Sequence, residues 1–158
     1  MNPTNAMYAK GHFGLTLALS SLLMVPFGNG YETTVFIMVA TMLASLPDID
    51  MSLKRKGVPI HHRGPTHSLL FAIICGVLLS GVMFYLYKTL IYIAVGFFAG
   101  VSGIMTHLLG DMLTYMAFKP LWPFRDNEVS YGLFAASNKE ANNAMLILGT
   151  ICFVLYAM

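Results

Sequence analysis

From Ser68 to Tyr87 the chain carries no charged side chain. Roughly 20 consecutive apolar residues are what an α-helix needs to cross the hydrocarbon core of a bilayer. Composition agrees: 57% of residues are hydrophobic and 10% charged, against roughly 25% charged in an ordinary soluble domain. With 158 residues there is room for four or five such helices and for no large soluble domain beside them. The expected fold is an all-α polytopic membrane helical bundle with four or five spans, forming one transmembrane domain over residues 1–158.

The remaining spans follow from breaks in the apolar pattern. A first span over about 11–27 ends at the turn signal Gly28-Asn29-Gly30. The absence of a clear small-residue cleavage site there favours a retained helix over a signal peptide. A second over about 31–46 stops at Pro47, which has no N–H with which to continue a helix. After the clear span at 68–87, Lys88-Thr89 makes a tight connection to a fourth over about 90–113. A last run, 144–158, is short for a crossing. Cys75 and Cys152 lie inside apolar runs without metal-ligand spacing and read as small hydrophobes.

If all five runs cross, Lys10, Lys54, Arg55, Lys56, Arg63, Lys119, Arg125 and Lys139 share one face, and Lys88 stands alone on the other. That asymmetry predicts a cytoplasmic N-terminus and a cytoplasmic 48–66 loop in the inner (plasma) membrane. Membrane lipids are the expected partners. The net charge of +2 gives no reason to expect nucleic acid, and the sequence leaves the oligomeric state open.

All five histidines map to the same face: His12, His61, His62, His67 and His107, together with Asp48, Asp50 and Asp111. The members at helix ends are the informative ones, because ionisable groups at membrane depth are costly without partners or a function. His107 and Asp111 are four residues apart and share a helical face. Asp48 and Asp50 would point the same way on an extended segment. His62 and His67 bracket Arg63-Gly64-Pro65-Thr66, in which Gly64 and Pro65 favour a turn and Thr66 can cap the third helix. Imidazole suits zinc and other transition metals, and carboxylates suit a harder ion or bridge two. The set therefore predicts one or two divalent metal ions, zinc foremost, with manganese or magnesium as alternatives. Arg63 beside these residues, with a helix N-terminus at the same place, makes a phosphate receptor. Trp122 reads as an interfacial anchor.

These pieces resemble the YdjM-like family of inner-membrane metal-dependent hydrolases, which is LexA-regulated in some bacteria. The matching motifs are Gly11-His12, Leu46-Pro47-Asp48-Ile49-Asp50, His62-Arg63-Gly64-Pro65-Thr66-His67-Ser68, the run His107 to Thr114, and Leu121-Trp122-Pro123, in family order. The resemblance implies His12, Asp48, Asp50, His62, His67, His107 and Asp111 as the metal-site residues, and leaves His61 just outside the central motif. After Thr114 the chain reads Tyr115-Met116-Ala117-Phe118, where relatives tend to carry a Pro/Gly turn. The His/Asp set is also loosely similar to that of zinc phospholipase C and related zinc nucleases.

The expected function is hydrolysis of a phosphoester on a lipid or lipid-linked substrate, with Arg63 and Asp48 as the catalytic candidates. A metal transporter or sensor is the alternative, and a non-catalytic scaffold the third. Transport sites usually lie near the bilayer midplane, whereas these residues gather at helix ends.

Overall fold

The computed structural model describes residues 7–59 and 63–158. Six α-helices form among them: α1 (Ala9–Met24), α2 (Tyr31–Leu43), α3 (Ile49–Arg55), α4 (Leu69–Tyr87), α5 (Ile91–Met112) and α6 (Lys139–Ala157). Two isolated bridges, Thr114 with Phe134 and Phe118 with Val129, are the only β pairing in the described residues.

Three helices, α4, α5 and α6, are long and apolar enough to cross a membrane. Of the other two expected spans, the first is α1, 16 residues long, which runs directly into a 3-10 turn, Val25–Phe27; together they cover the expected 11–27 segment and are about 30 Å long. The second, α2, has 13 residues and is about 20 Å long, less than a full hydrocarbon core. The last helix departs from expectation in the other direction. It begins at Lys139 rather than near 144 and reaches 19 residues, because its polar first turns are satisfied internally. Asn138 caps it by accepting from Ala141 N at 3.0 Å. The fully buried Asn142 accepts from Tyr8 N and donates to the Ala136 carbonyl, each at 3.0 Å. That asparagine ties the start of α6 to the start of α1.

Two further local expectations are corrected. Asp48 to Asp50 is the opening of α3 rather than extended chain, with Asp48 at φ −70° and ψ 1°. Ser68, not Thr66, caps α4, accepting from Phe71 N at 3.2 Å, while Thr66 turns its hydroxyl to Asp50.

Helix α1 packs between α6 on one side and α2 with α5 on the other, and α5 packs against α4, α2 and α1. Lipid tails are as apolar as leucine, so helix association in a bilayer depends on close packing through small residues. At the α4–α5 crossing, a Cβ on Gly100 would lie 2.8 Å from the Gly76 Cα. At the α1–α6 crossing, a Cβ on Gly149 would lie 2.9 Å from the Gly14 Cα. Two apolar clusters fill the bundle. Phe36, Ile37, Ala40, Ala99 and Tyr156 form one. Ala72, Cys75, Ile104, Leu108 and Phe118 form the other, and Phe118 meets the His67 ring edge-on at 6.3 Å.

Candidate metal centre

Four elements deliver the site residues. His12 lies one turn into α1, and Asp48 occupies the boundary position before α3 without a capping bond from its side chain. His67 ends a single 3-10 turn, 65–67, just before α4. His107 and Asp111 occupy the last turns of α5. His107 lies five residues from the end of that helix, about 8 Å below it, so the site sits just inside one end of the bundle. His12, His67 and His107 are fully buried, and Asp50 and Asp111 are 2% and 1% exposed. The Asp48 side chain is 19% exposed, which makes it the opening of the cluster.

The donor atoms converge. His67 Nε2 lies 3.2 Å from His107 Nε2 and 3.3 Å from Asp111 Oδ2. His107 Nε2 is 3.6 Å from the same oxygen. Asp48 Oδ1 is 3.7 Å from His67 Nε2 and 3.8 Å from His107 Nε2. Tetrahedral zinc with bonds of about 2.0–2.2 Å separates its ligand atoms by about 3.4 Å. His67, His107 and Asp111 thus form a group that can hold a metal ion, and His12, Asp48 and His107 form a second. His12 stacks on His107 with ring centroids 3.8 Å apart.

Orphaned atoms point the same way. Asp48 Oδ1, Asp111 Oδ2 and both nitrogens of His12 are buried without a hydrogen-bond partner among the described residues. Each such atom costs about 1–3 kcal/mol if left unmatched. Two of them are the carboxylate oxygens that face the imidazoles, where a cation would satisfy them.

Around these atoms lies a set of orienting contacts. His107 Nδ1 donates to the Ala44 carbonyl at 2.7 Å, which leaves Nε2 with its lone pair toward the cluster. Asp50 sits behind His67: its Oδ2 is 3.4 Å from His67 Nδ1 and accepts from Thr66 Oγ1 at 3.1 Å and from Arg63 N at 3.0 Å. Asp48 and Asp50 therefore approach opposite edges of one imidazole. The Arg63 backbone has φ 61°, a left-handed conformation costly for a residue with a Cβ, and the bond from its N–H to Asp50 helps hold it there.

Arg63 is 6% exposed. Its Nη2 donates to Asp111 Oδ1 at 2.7 Å and to Thr114 Oγ1 at 3.0 Å, and Nη1 donates to the Met116 carbonyl. The guanidinium expected to face a phosphate is thus engaged by the protein itself. The N-terminus of α4, the other half of that expected receptor, has Leu69 N bonded to the Pro120 carbonyl and Phe71 N bonded to Ser68.

Electrostatics favour a cation. Burial pulls the His67 pKa down, but contacts with Asp111 and Asp48 outweigh it and raise the value to about 8. Burial would raise the Asp48 carboxyl, yet the His67 contact and the nearby His107 hold it below its ordinary value. Three carboxylates, Asp48, Asp50 and Asp111, thus face the His67 imidazole, a concentration of acidic groups that a bound cation would offset.

The structure gathers His12, Asp48, His67, His107 and Asp111 around one point, with Asp50 and Arg63 directly behind. His61 and His62 lie outside the described residues. The sequence suggested a helix cap for Thr66, which instead supports Asp50, and gave no role to Thr114 or to the Ala44 carbonyl. Thr114 stands three residues beyond Asp111 in the same motif, a signal that was readable. The Ala44 carbonyl left no signal, because any residue type supplies one.

The chain belongs to the YdjM inner membrane protein family, which matches it over residues 7–158. No curated protein and no solved structure matches it significantly.

Proposed function

We propose, from that membership and from the His/Asp cluster, a membrane-embedded metal-dependent hydrolase acting on a phosphoester of a lipid or lipid-linked substrate at the cytoplasmic face. The observation that carries the reading is the convergence of His67 Nε2, His107 Nε2 and Asp111 Oδ2 within 3.2–3.6 Å, with Asp111 Oδ2 otherwise unpartnered among the described residues. His67, His107 and Asp111 would hold one divalent ion, and two imidazoles and a carboxylate suit zinc best. Such an ion supplies Lewis acidity and lowers the pKa of a coordinated water toward neutrality.

The chain's own residues do the rest. Asp48, the partly exposed member, stands at the open side and accepts the proton of the attacking water. Asp50 fixes the His67 ring through Nδ1, the carboxylate–histidine arrangement that tunes metal ligands. Arg63 positions Asp111, and it reaches a substrate phosphate by exchanging one of its internal bonds. Exposed Ile49 and Leu53 on α3, with Leu121, Trp122 and Phe124, give the surroundings of the site an apolar surface suited to lipid tails.

A second reading rests on the same Asp48. Its Oδ1 lies 3.7 Å from His67 Nε2 and 3.8 Å from His107 Nε2, within reach of an ion held by those imidazoles, and a centre that Asp48 closes would be structural or sensory rather than catalytic. Asp48→Asn separates the two. Purified wild type should carry stoichiometric metal by elemental analysis, and His67→Ala should lose it. In the hydrolase reading, Asp48→Asn keeps the metal and loses headgroup or phosphate release from mixed lipid extracts by roughly 100-fold or more. Metal loss in Asp48→Asn would favour the closed centre. Negligible metal in the wild type would sink both.

A further inference from the structure

At the end of the bundle away from the metal centre, α1, α2 and α5 leave an open groove of about 390 Å³. Its walls are almost entirely apolar: Leu23, Met24 and Phe27 from the α1 end, Phe36 from α2, and Val95 and Phe98 from α5. Leu23, Phe27 and Phe98 are 53%, 71% and 59% exposed, so the protein itself does not cover them. Two features identify what does.

The first is depth. Along α5 the groove runs from Ile91 to Ser102, a rise of about 16 Å, and half of a ~30 Å hydrocarbon core is about 15 Å. The groove is one leaflet deep. Its mouth lies beside a cluster of phenols, with Tyr87 stacked on Tyr92 at 3.9 Å and the Tyr31 hydroxyl 3.4 Å from that of Tyr87. Tyrosines of this kind mark the headgroup level.

The second is charge. Glu32 lines the groove in the first turn of α2, where a carboxylate also favours the helix dipole. Among the described residues no cation pairs with it. Lys88, the lone basic residue of that end, sits 4.0 Å over the Tyr85 ring instead. An unmatched carboxylate at headgroup level above an apolar slot is complementary to a zwitterionic lipid whose headgroup ends in a primary ammonium. The exposed Tyr31 and Tyr87 hydroxyls can donate to its phosphate.

We infer that this groove retains one phospholipid of the far leaflet, with one acyl chain between α1, α2 and α5 and its ammonium group on Glu32. This site is separate from the metal centre and does not depend on the hydrolase reading.

The test uses the full chain, reconstituted in nanodiscs of equal phosphatidylethanolamine, phosphatidylcholine and phosphatidylglycerol, then released into detergent for native mass spectrometry. The wild type should retain about one lipid per chain, enriched several-fold in the ethanolamine species. Glu32→Gln should keep a lipid but lose the headgroup preference. Ala94→Trp, which fills the groove from an exposed position, should lose the lipid, and a wild-type thermal unfolding midpoint in both variants would show that the fold persists. No retained lipid, the same headgroup distribution in wild type and Glu32→Gln, or a lipid-free dimer that Ala94→Trp dissociates would each overturn the inference.

Discussion

His67 is the residue on which the carboxylates, the second imidazole and the exchangeable proton meet. Its Nδ1 faces Asp50 and Thr66, and its Nε2 faces Asp48, His107 and Asp111. Without metal its pKa is raised to about 8, so near neutrality a dication must displace a proton. The sign follows directly. Apparent metal affinity rises about tenfold per pH unit below about 8 and levels off above it. Titration calorimetry at pH 7 in buffers of different ionisation enthalpy should detect about one proton released per ion bound. A pH-independent affinity between 6 and 8 would show that His67 does not carry that proton. Asp50→Asn keeps the shape of the side chain but removes the charge behind Nδ1, so affinity should fall about 10- to 100-fold.

Much of this residue-level picture was legible in advance, because His107 and Asp111 at i, i+4 must share a helical face. The arrangement of Asp48 and Asp50 was not. Both lie in one short motif, and only the turn into α3 sends one carboxylate to each edge of the same ring. Arg63 was legible as a neighbour of the ligands but not as the partner of Asp111, since that ion pair spans 48 positions of sequence.

Among the helices, the apolar runs determined which segments would be helical, while satisfied polar groups determined where they end. Asn142 shows why α6 was read too short: a buried asparagine looks like loop sequence until its three hydrogen bonds are counted. The crossings were partly readable as well. Gly96 and Gly100 are spaced as a small-xxx-small pair, the pattern that lets membrane helices touch. The contact between Gly14 and Gly149 has no such signature, because its two halves lie on helices at opposite ends of the chain. That contact makes a sharp prediction. A Cβ at Gly149 would sit inside van der Waals distance of the Gly14 carbonyl and 2.9 Å from its Cα. The obstruction is backbone, which cannot rotate away. Gly149→Ala should destabilise the protein by about 1–3 kcal/mol, seen as a lower thermal unfolding midpoint in detergent. Because α1 carries His12, the same variant should loosen the His12–His107 stack. Gly81→Ala is the matched control. Nothing lies within 4 Å of a Cβ there, and alanine is the better helix former by about 1 kcal/mol, so its midpoint should stay or rise.

For the molecule as a whole, the decisive asymmetry is between its two ends. The His/Asp cluster, α3 and the 113–138 segment occupy one end with Lys10, Lys54, Lys56, Lys119, Arg125 and Lys139. The other carries Lys88, the tyrosine cluster and the lipid groove. Short, basic connecting segments are retained on the cytoplasmic side during insertion, and Lys54 and Lys56 would meet anionic headgroups there, each contributing about 1 kcal/mol. The direction matters for function, because a cytoplasmic site draws its metal and water from the cytosol and meets lipid headgroups of the inner leaflet. Orientation can be read with single cysteines in a chain whose Cys75 and Cys152 are replaced by alanine. Val58→Cys, just beyond α3 and 40% exposed, marks the site end, and Leu90→Cys, 74% exposed, marks the other. A membrane-impermeant maleimide applied to intact spheroplasts should label Leu90→Cys and spare Val58→Cys until the membrane is permeabilised. The reverse pattern would place the histidines and aspartates outside the cell membrane. It would also exclude a hydrolase fed from the cytosol while leaving the geometry of the metal centre unchanged.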